Sequence, residues 1–277
     1  MSARQIAALL LDVARYLNRQ PDARVSDAQL NELKKWFDTI KTTFAGMPES
    51  TRVLLRLLDD PVALQRFREV PHRLAIIARS LRSQSPVRAA QANEGAVLVD
   101  LVQRIPLRRR NLMSIDMDRH FTRDAKGRLT GLIFEGAEMK NGRSFSGPLA
   151  RPLCERIEHH IKVHRPHLPG AADSRFLFPS PGGRHRGGEA LSRRFTTAVQ
   201  EHAGIEMRLH DVRHVAAWLM LREDPRSGPL VQQLLNHASR KTTERYYGDL
   251  RQGAVVRHYD ALLHGQRPTC RKKPGKS

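Results

Sequence analysis

Residues 209–247 read LHDVRHVAAWLMLREDPRSGPLVQQLLNHASRKTTERYY, a stretch in which histidines and an arginine precede two adjacent tyrosines. Apolar residues at helical spacing predict a helix from His210 to Arg222 with one apolar and one cationic face. Two further helices are predicted, over 230–235 and near 242–250, and the second carries both tyrosines. Because a phenol has a pKa of about 10, it needs neighbouring cations to act as a nucleophile at neutral pH.

The chain carries a large excess of positive charge. Its 277 residues include 48 Lys and Arg against 28 Asp and Glu, which gives a formal net charge of +20. The excess recurs along most of the chain, a distribution typical of proteins that bind a polyanion, with nucleic acid as the first candidate. A basic, well-solvated surface is the other interpretation of the charge alone.

Cysteine content and hydropathy indicate the compartment. Two cysteines, Cys154 and Cys270, imply no disulfide framework and fit a reducing environment. The apolar run at residues 6–11 is shorter than the core of a signal peptide, and no run approaches the roughly 18 apolar residues of a membrane span. We therefore expect a cytoplasmic, DNA-associated protein with no membrane partner.

Hydrophobic periodicity predicts a mainly helical chain with one small antiparallel β element. Helical patterns lie within 4–66 and over 70–81, 96–104, 151–163 and 191–202. A glycine-rich stretch after Ile115 contains Asn141-Gly142, a dipeptide typical of a type I′ hairpin turn. The expected fold class is α+β, mainly α with a small antiparallel hairpin or sheet.

Four motifs together resemble those of the tyrosine recombinases, the phage integrase family of site-specific recombinases. LHDVRH is similar to the family's His-x-x-Arg box. LLNHASRKTTERYY is similar to its Leu-Gly-His…Thr-x-x-Tyr ending, with the same nine-residue step from histidine to tyrosine. PLRRRNLMSID aligns with the turn that holds the family's first arginine, and Lys140 precedes Pro148-Leu149 by eight residues, as the family's hairpin lysine does. The resemblance covers roughly residues 70–260.

The resemblance implies a DNA strand transferase that needs no metal ion or nucleotide. Tyr246 would attack a DNA phosphate and leave a 3′-phosphotyrosyl enzyme with a free 5′-hydroxyl. Arg108 and Arg213 would bind the non-bridging oxygens, because a guanidinium offers a rigid fork to phosphate. Lys140 would protonate the leaving 5′ oxygen. His210 would assist proton removal from the tyrosine.

The two tyrosines compete for the role of nucleophile. Adjacent helical residues point about 100° apart, so only one of Tyr246 and Tyr247 can face the phosphate. The nine-residue step from His237 favours Tyr246. In the same scheme, His237 would donate a hydrogen bond to the phosphate.

Two departures from the family pattern surround the first arginine. Asn111 stands where the family usually has Glu, and Ile105-Pro106 replaces the usual Thr-Gly. The local support of Arg108 is therefore expected to differ, although every catalytic position holds a competent residue.

The resemblance also implies the domain organisation and partners. A tyrosine recombinase catalytic domain is expected at 70–265, after a short helical region at 1–69 and before a basic, disordered tail at 266–277. The N-terminal region could be a reduced DNA clamp, a dimerisation unit or a remnant of a longer protein. The expected partner is double-stranded DNA, bound by a homo-oligomer that in the family is a tetramer, with no cofactor.

Other basic residues have two interpretations each. The histidines of EHHIKVHRPH, at 159, 160, 164 and 167, have spacings that could bind zinc, although a solvated basic helix explains them better. Four further cations could contact the DNA backbone or form a solvated face. They are Arg193, Arg194, Arg240 and Lys241.

Two other functions compatible with the motifs stay open. One is a catalytically silent, DNA-binding relic of an integrase, supported by Asn111 and the short N-terminal region. The other is a type IB topoisomerase, which uses similar chemistry on one duplex. The DNA target is not encoded in any motif, because base preference depends on individual side chains and DNA deformation.

Overall fold

The computed structural model describes residues 3–39, 47–224 and 226–236. The chain divides into two compact units, Met1–Gly46 and Met47–Ser277. The described part of the first unit is a pair of contacting helices, α1 (Ala3–Asn18) and α2 (Asp27–Thr39). A reciprocal cap begins α2, since the Ser26 amide donates to Gln29 Oε1 and the Gln29 amide donates to Ser26 Oγ.

The second unit is mainly helical with a small sheet, so the predicted fold class is confirmed. Its helices and strands, in chain order, are α3 (Glu49–Asp59), α4 (Pro61–Leu81), α5 (Pro86–Arg104), α6 (Arg109–Met113), β1 (Phe121–Arg123), β2 (Leu129–Phe134), β3 (Phe145–Pro148), α7 (Arg151–His159), α8 (Gly188–Ala203), α9 (Asp211–Glu223) and α10 (Gly228–Leu234). A π-helical turn, His160–His164, follows α7.

Two helices begin earlier than the sequence periodicity predicts. The helix expected from residue 70 starts at Pro61, where the Asp60 carboxylate accepts from the Val62 amide and Pro61 occupies the first turn. The helix expected from residue 96 starts at Pro86. The first half of this helix has a polar sequence, which predicts exposure, yet its Asn93 and Glu94 are buried.

The buried centre of the second unit is α5. Residues 96–99 and 101 are fully buried, and α5 contacts α4, α7, α8 and α9. A helix buried on all sides carries no amphipathic pattern, which is why its start was missed. α4 runs through residues 69 and 70, where the catalytic domain is predicted to start, and the domain limits stay a prediction.

The sheet is antiparallel with strand order β1-β2-β3. The predicted type I′ turn at Asn141-Gly142 is wrong. That turn needs positive φ at both residues, whereas only Gly142 has it, at +70°. Residues 135–144 instead form a ten-residue connection between β2 and β3, which we call the Lys140 loop, and it includes a 3₁₀ turn at Gly136–Glu138.

Several predictions fall on residues that the structure does not describe. They concern the helix near 242–250, the tail at 266–277 and four site residues, namely His237, Arg240, Lys241 and Tyr246. Among the helices of the described residues, none has the length and apolar character needed to cross a membrane.

Candidate active site

Hydrogen bonds from three separate elements converge on the residues that follow α10. The carbonyl of Leu235 accepts from Arg213, and the carbonyl of Asn236 accepts from Arg108 and from Asn141 of the Lys140 loop. Asn236 directly precedes His237 in the chain. The four predicted catalytic residues that the structure describes thus belong to segments gathered around this point.

Arg213 is buried, contrary to the cationic surface predicted for its helix. It lies in the first turn of α9 with 6% of its surface exposed. One guanidinium nitrogen, Nη1, donates to the carbonyl of Pro106 and the other, Nη2, donates to the carbonyl of Leu235 at 2.6 Å. The Ile105-Pro106 departure therefore keeps an acceptor for this arginine, and two carbonyls fix the orientation of the guanidinium.

Arg108 lies at the start of α6, in extended conformation, and is partly buried. Its Nη2 donates to the carbonyl of Asn236 at 3.2 Å. Desolvation by burial lowers the pKa of this guanidinium from its usual value. Arginine nevertheless stays charged in proteins at neutral pH. Both arginines thus present permanent positive charge beside the same chain segment.

His210 directly precedes the first residue of α9. The turn before it is closed by Asp211, whose carboxylate accepts from the Arg208 amide at 3.0 Å. Desolvation lowers the pKa of His210, and the positive charges of Arg213 and Arg108 lower it further. The lowered pKa favours the neutral imidazole, which has a ring nitrogen able to accept a proton.

Lys140 is exposed in the Lys140 loop, directly before Asn141. Asn111 contacts this loop through a hydrogen bond. It is 2% exposed, and its Nδ2 donates to the carbonyl of Glu138 at 3.1 Å. The amide that replaces the usual Glu is therefore a structural contact to the loop, two residues before Lys140.

A cationic cleft of about 620 Å³ opens beside His210. Arg109, Arg193 and Arg208 line it together with hydroxyl residues of α8. Glu189, which also lines the cleft, pairs with Arg109. The cleft has the charge and polar groups suited to a phosphate backbone.

The two adjacent arginines of α8 have different environments. Arg193 is exposed, as a DNA contact requires. Arg194 instead donates to the carbonyl of Gln91 at 2.9 Å and pairs with the fully buried Glu94 at 3.1 Å. Arg194 thus joins α8 to α5, a structural role that the sequence did not indicate.

Two of the four histidines at 159–167 depart from the solvated basic helix that the sequence favoured, whereas His159 and His167 are exposed as predicted. His160 and His164 are buried, and His160 Nδ1 lies 3.1 Å from Asn93 Oδ1. The structure does not support the zinc alternative, because the described residues contain no group of three side chains placed to bind a metal ion.

Sequence reasoning missed two asparagines at the centre of the site. Asn141 Nδ2 donates to the carbonyl of Asn236 at 2.8 Å and lies 3.1 Å from its Oδ1. Asn236 has a φ of +46°, the left-handed region that favours glycine. The available signal was Asn236 itself, which stands where the family's Leu-Gly-His has glycine.

Comparisons with known proteins identify a family for the chain and similar folds. The model of the phage integrase family matches residues 75–252, more than half of the chain. The fold is similar to that of the XerH site-specific recombinase bound to its palindromic difH substrate in a post-cleavage complex. The TM-score is 0.52 at 15% identity, and the alignment covers 94% of this chain and 67% of that one. The search of curated proteins found no match.

Two further solved structures are similar. The pre-cleavage complex of XerH with difH gives a TM-score of 0.50 at 16% identity, with coverage of 91% of this chain and 69% of that one. XerA recombinase gives 0.49 at 16% identity, with coverage of 97% and 87%.

The family match supports the class of DNA strand transferases for this chain. The chain belongs to the phage integrase family, the tyrosine recombinases.

Proposed function

We propose that the chain is a site-specific DNA recombinase that cuts and rejoins strands through a 3′-phosphotyrosyl intermediate on Tyr246. The observation that carries the proposal is the convergence of Arg108, Arg213 and the Lys140 loop on residues 235–236, directly before His237. This arrangement fits one phosphate held by two guanidiniums, with an acid on the hairpin side.

In the proposed cleavage step, the Tyr246 oxygen attacks phosphorus while the phenolic proton passes to neutral His210. Arg108, Arg213 and His237 stabilise the negative charge of the pentavalent transition state. The bond to the 5′ oxygen breaks, and Lys140 supplies the proton that makes a free 5′-hydroxyl. The phosphate ester is conserved on the enzyme, so a 5′-hydroxyl of another strand can reverse the step without a nucleotide or a metal ion.

The proposed substrate is double-stranded DNA. A net charge of +20 and the cleft with Arg109, Arg193 and Arg208 support it, because each phosphate contact adds salt-dependent affinity. XerH, which has a similar fold, is bound to a DNA substrate. We further propose a tetramer on DNA and a cytoplasmic, DNA-associated location, with Arg240 and Lys241 as additional backbone contacts.

The test is to incubate the protein with supercoiled plasmid and with DNA from the flanks of its gene, and then to look on denaturing gels for protein joined to a DNA 3′ end. The proposal expects such an adduct together with recombinant products. DNA binding without an adduct on any substrate would identify a catalytically silent relic. Relaxed plasmid without recombinants would identify a topoisomerase.

A further inference from the structure

The Lys140 loop is held on both sides of its lysine by asparagine amides. Before Lys140, buried Asn111 donates to the carbonyl of Glu138 at 3.1 Å. After Lys140, Asn141 donates to the carbonyl of Asn236 at 2.8 Å. Inside the loop, the Gly142 amide donates to the carbonyl of Met139 at 3.0 Å, which closes a tight turn around the lysine.

The side chain of Asn236 adds contacts that a glycine cannot make. Its Oδ1 lies 3.1 Å from Asn141 Nδ2, and its own Nδ2 donates to the carbonyl of Arg143 at 3.2 Å. Asn tolerates the positive φ of this position better than most residues, so the backbone keeps a glycine-like conformation while the side chain reaches across to the loop. Asn141 and Asn236 thus bind each other's segments reciprocally.

The same carbonyl connects the loop to the arginine site. Asn236 O accepts from Asn141 Nδ2 and from Arg108 Nη2. The position of the loop is therefore defined relative to a predicted phosphate-binding arginine, and not only relative to its own strands. Opening the pair would release the loop on the Asn141 side of Lys140, while Asn111 still holds it at Glu138.

We propose that Asn141 and Asn236 are positioning residues that fasten the Lys140 loop onto the end of α10 and so place Lys140 for protonation of the leaving 5′ oxygen. This inference rests on the proposed function and deepens it. General acid catalysis requires the acid within hydrogen-bonding reach of the oxygen, and a misplacement of about 1 Å costs up to about 100-fold in rate.

The first test measures the fastening itself, without DNA. Hydrogen exchange of the Gly142 amide is compared in the wild type, in Asn236→Gly and in the control Ser144→Ala, an exposed residue of the same loop. Asn236→Gly keeps the carbonyl and tolerates the positive φ, so it removes only the side-chain contacts. We expect exchange at least about 5-fold faster in Asn236→Gly and unchanged in Ser144→Ala. Equal exchange in all three proteins would overturn the proposal.

The second test separates positioning of the acid from general damage. The probe is a nicked duplex containing the phosphodiester at which the wild-type adduct forms, made with either oxygen or sulfur at the bridging 5′ position. A thiolate leaves without a proton, so the sulfur DNA needs no acid. We expect Asn141→Ala and Asn236→Gly to slow cleavage of the oxygen DNA by about 10- to 100-fold and that of the sulfur DNA by less than about 3-fold.

Lys140→Ala should show the same selectivity with a larger loss on the oxygen DNA, and Ser144→Ala should cleave both like the wild type. Equal losses on both substrates, or no loss on either, would overturn the positioning role. If the wild type forms no adduct with any DNA, the proposed function fails and the positioning role falls with it. The exchange measurement then still shows whether the two asparagines hold the loop.

Discussion

At the scale of single residues, Arg213 has both a structural contact and a predicted catalytic role. Burying a guanidinium is costly unless its hydrogen-bonding groups are satisfied, and Arg213 meets this condition through the carbonyls of Pro106 and Leu235. Those bonds also hold the planar fork in one orientation, so it need not be ordered when a phosphate arrives. Sequence spacing located this arginine, but its burial could not be predicted, because both acceptors are backbone atoms distant in sequence.

Replacing Arg213 by lysine tests both roles. A lysine has one ammonium and no fork, so Arg213→Lys leaves a buried carbonyl without its donor. We expect the free energy of unfolding to fall by about 1–3 kcal/mol and the rate of adduct formation to fall by at least about 100-fold. Urea unfolding and a quench assay on cleavable DNA measure the two effects.

The matched control is Arg222→Lys, at the exposed end of the same helix, where Arg222 pairs with Asp59 at 3.0 Å. An exposed pair contributes little, so both readouts should stay close to the wild type. Similar losses in the two variants would contradict the special role of Arg213.

At the scale of elements, the sequence located α9 closely but missed the first half of α5. The helix from His210 to Arg222 is confirmed within one residue at each end as α9. The first half of α5 was missed because Glu94, a charged residue, is fully buried and paired with Arg186 and Arg194. Such pairing depends on tertiary contacts that no local pattern contains.

The same limit applies to the β element and the site. A short antiparallel element was predicted from glycines and an Asn-Gly pair, yet Asn141 is used for a contact to Asn236 and not for a type I′ turn. Motif spacing identified Arg108, Lys140, His210 and Arg213, whose segments the structure brings together. Asn236 was visible as a departure from the family's glycine, but its contact with Asn141 could not be predicted, since the two residues are 95 apart in sequence.

The two adjacent arginines of α8 give a prediction for that helix. Arg194→Ala removes a partner of buried Glu94, whose pKa is already raised by desolvation, and should lower the free energy of unfolding by about 2 kcal/mol. Arg193→Ala should leave stability within about 0.5 kcal/mol but weaken DNA binding and reduce the salt dependence of log K by about one unit. Thermal unfolding measures the effect on stability, and DNA titrations at several salt concentrations measure the effect on binding. A loss of stability in Arg193→Ala with a loss of DNA binding in Arg194→Ala would refute these two roles.

At the scale of the whole molecule, three buried histidines determine how stability responds to acid. Desolvation by burial, with nearby cationic groups, lowers the pKa of His160 to about 3 and those of His164 and His214 to about 4. In the unfolded chain each has a pKa of about 6.5. Between pH 6.5 and 4 the unfolded chain therefore binds more protons, so stability is complete above pH 6.5 and falls as the pH is lowered.

We expect the free energy of unfolding to decrease on acidification by up to about 1.4 kcal/mol per pH unit for each of these histidines. His160→Gln should reduce that slope by one histidine's share, whatever its effect on stability at pH 7. Urea titrations between pH 7.5 and 4.5 measure this slope, and an unaltered slope in His160→Gln would exclude this origin of acid sensitivity.

The central claim is that this member of the phage integrase family cuts DNA with Tyr246. The most direct measurement traps the adduct on a nicked suicide duplex with the wild type, Tyr246→Phe and Tyr247→Phe, and locates the attached nucleotide by peptide mass spectrometry. The account predicts that Tyr246→Phe forms no adduct, that Tyr247→Phe still does, and that the nucleotide lies on Tyr246. An adduct that survives Tyr246→Phe and is lost in Tyr247→Phe would contradict it.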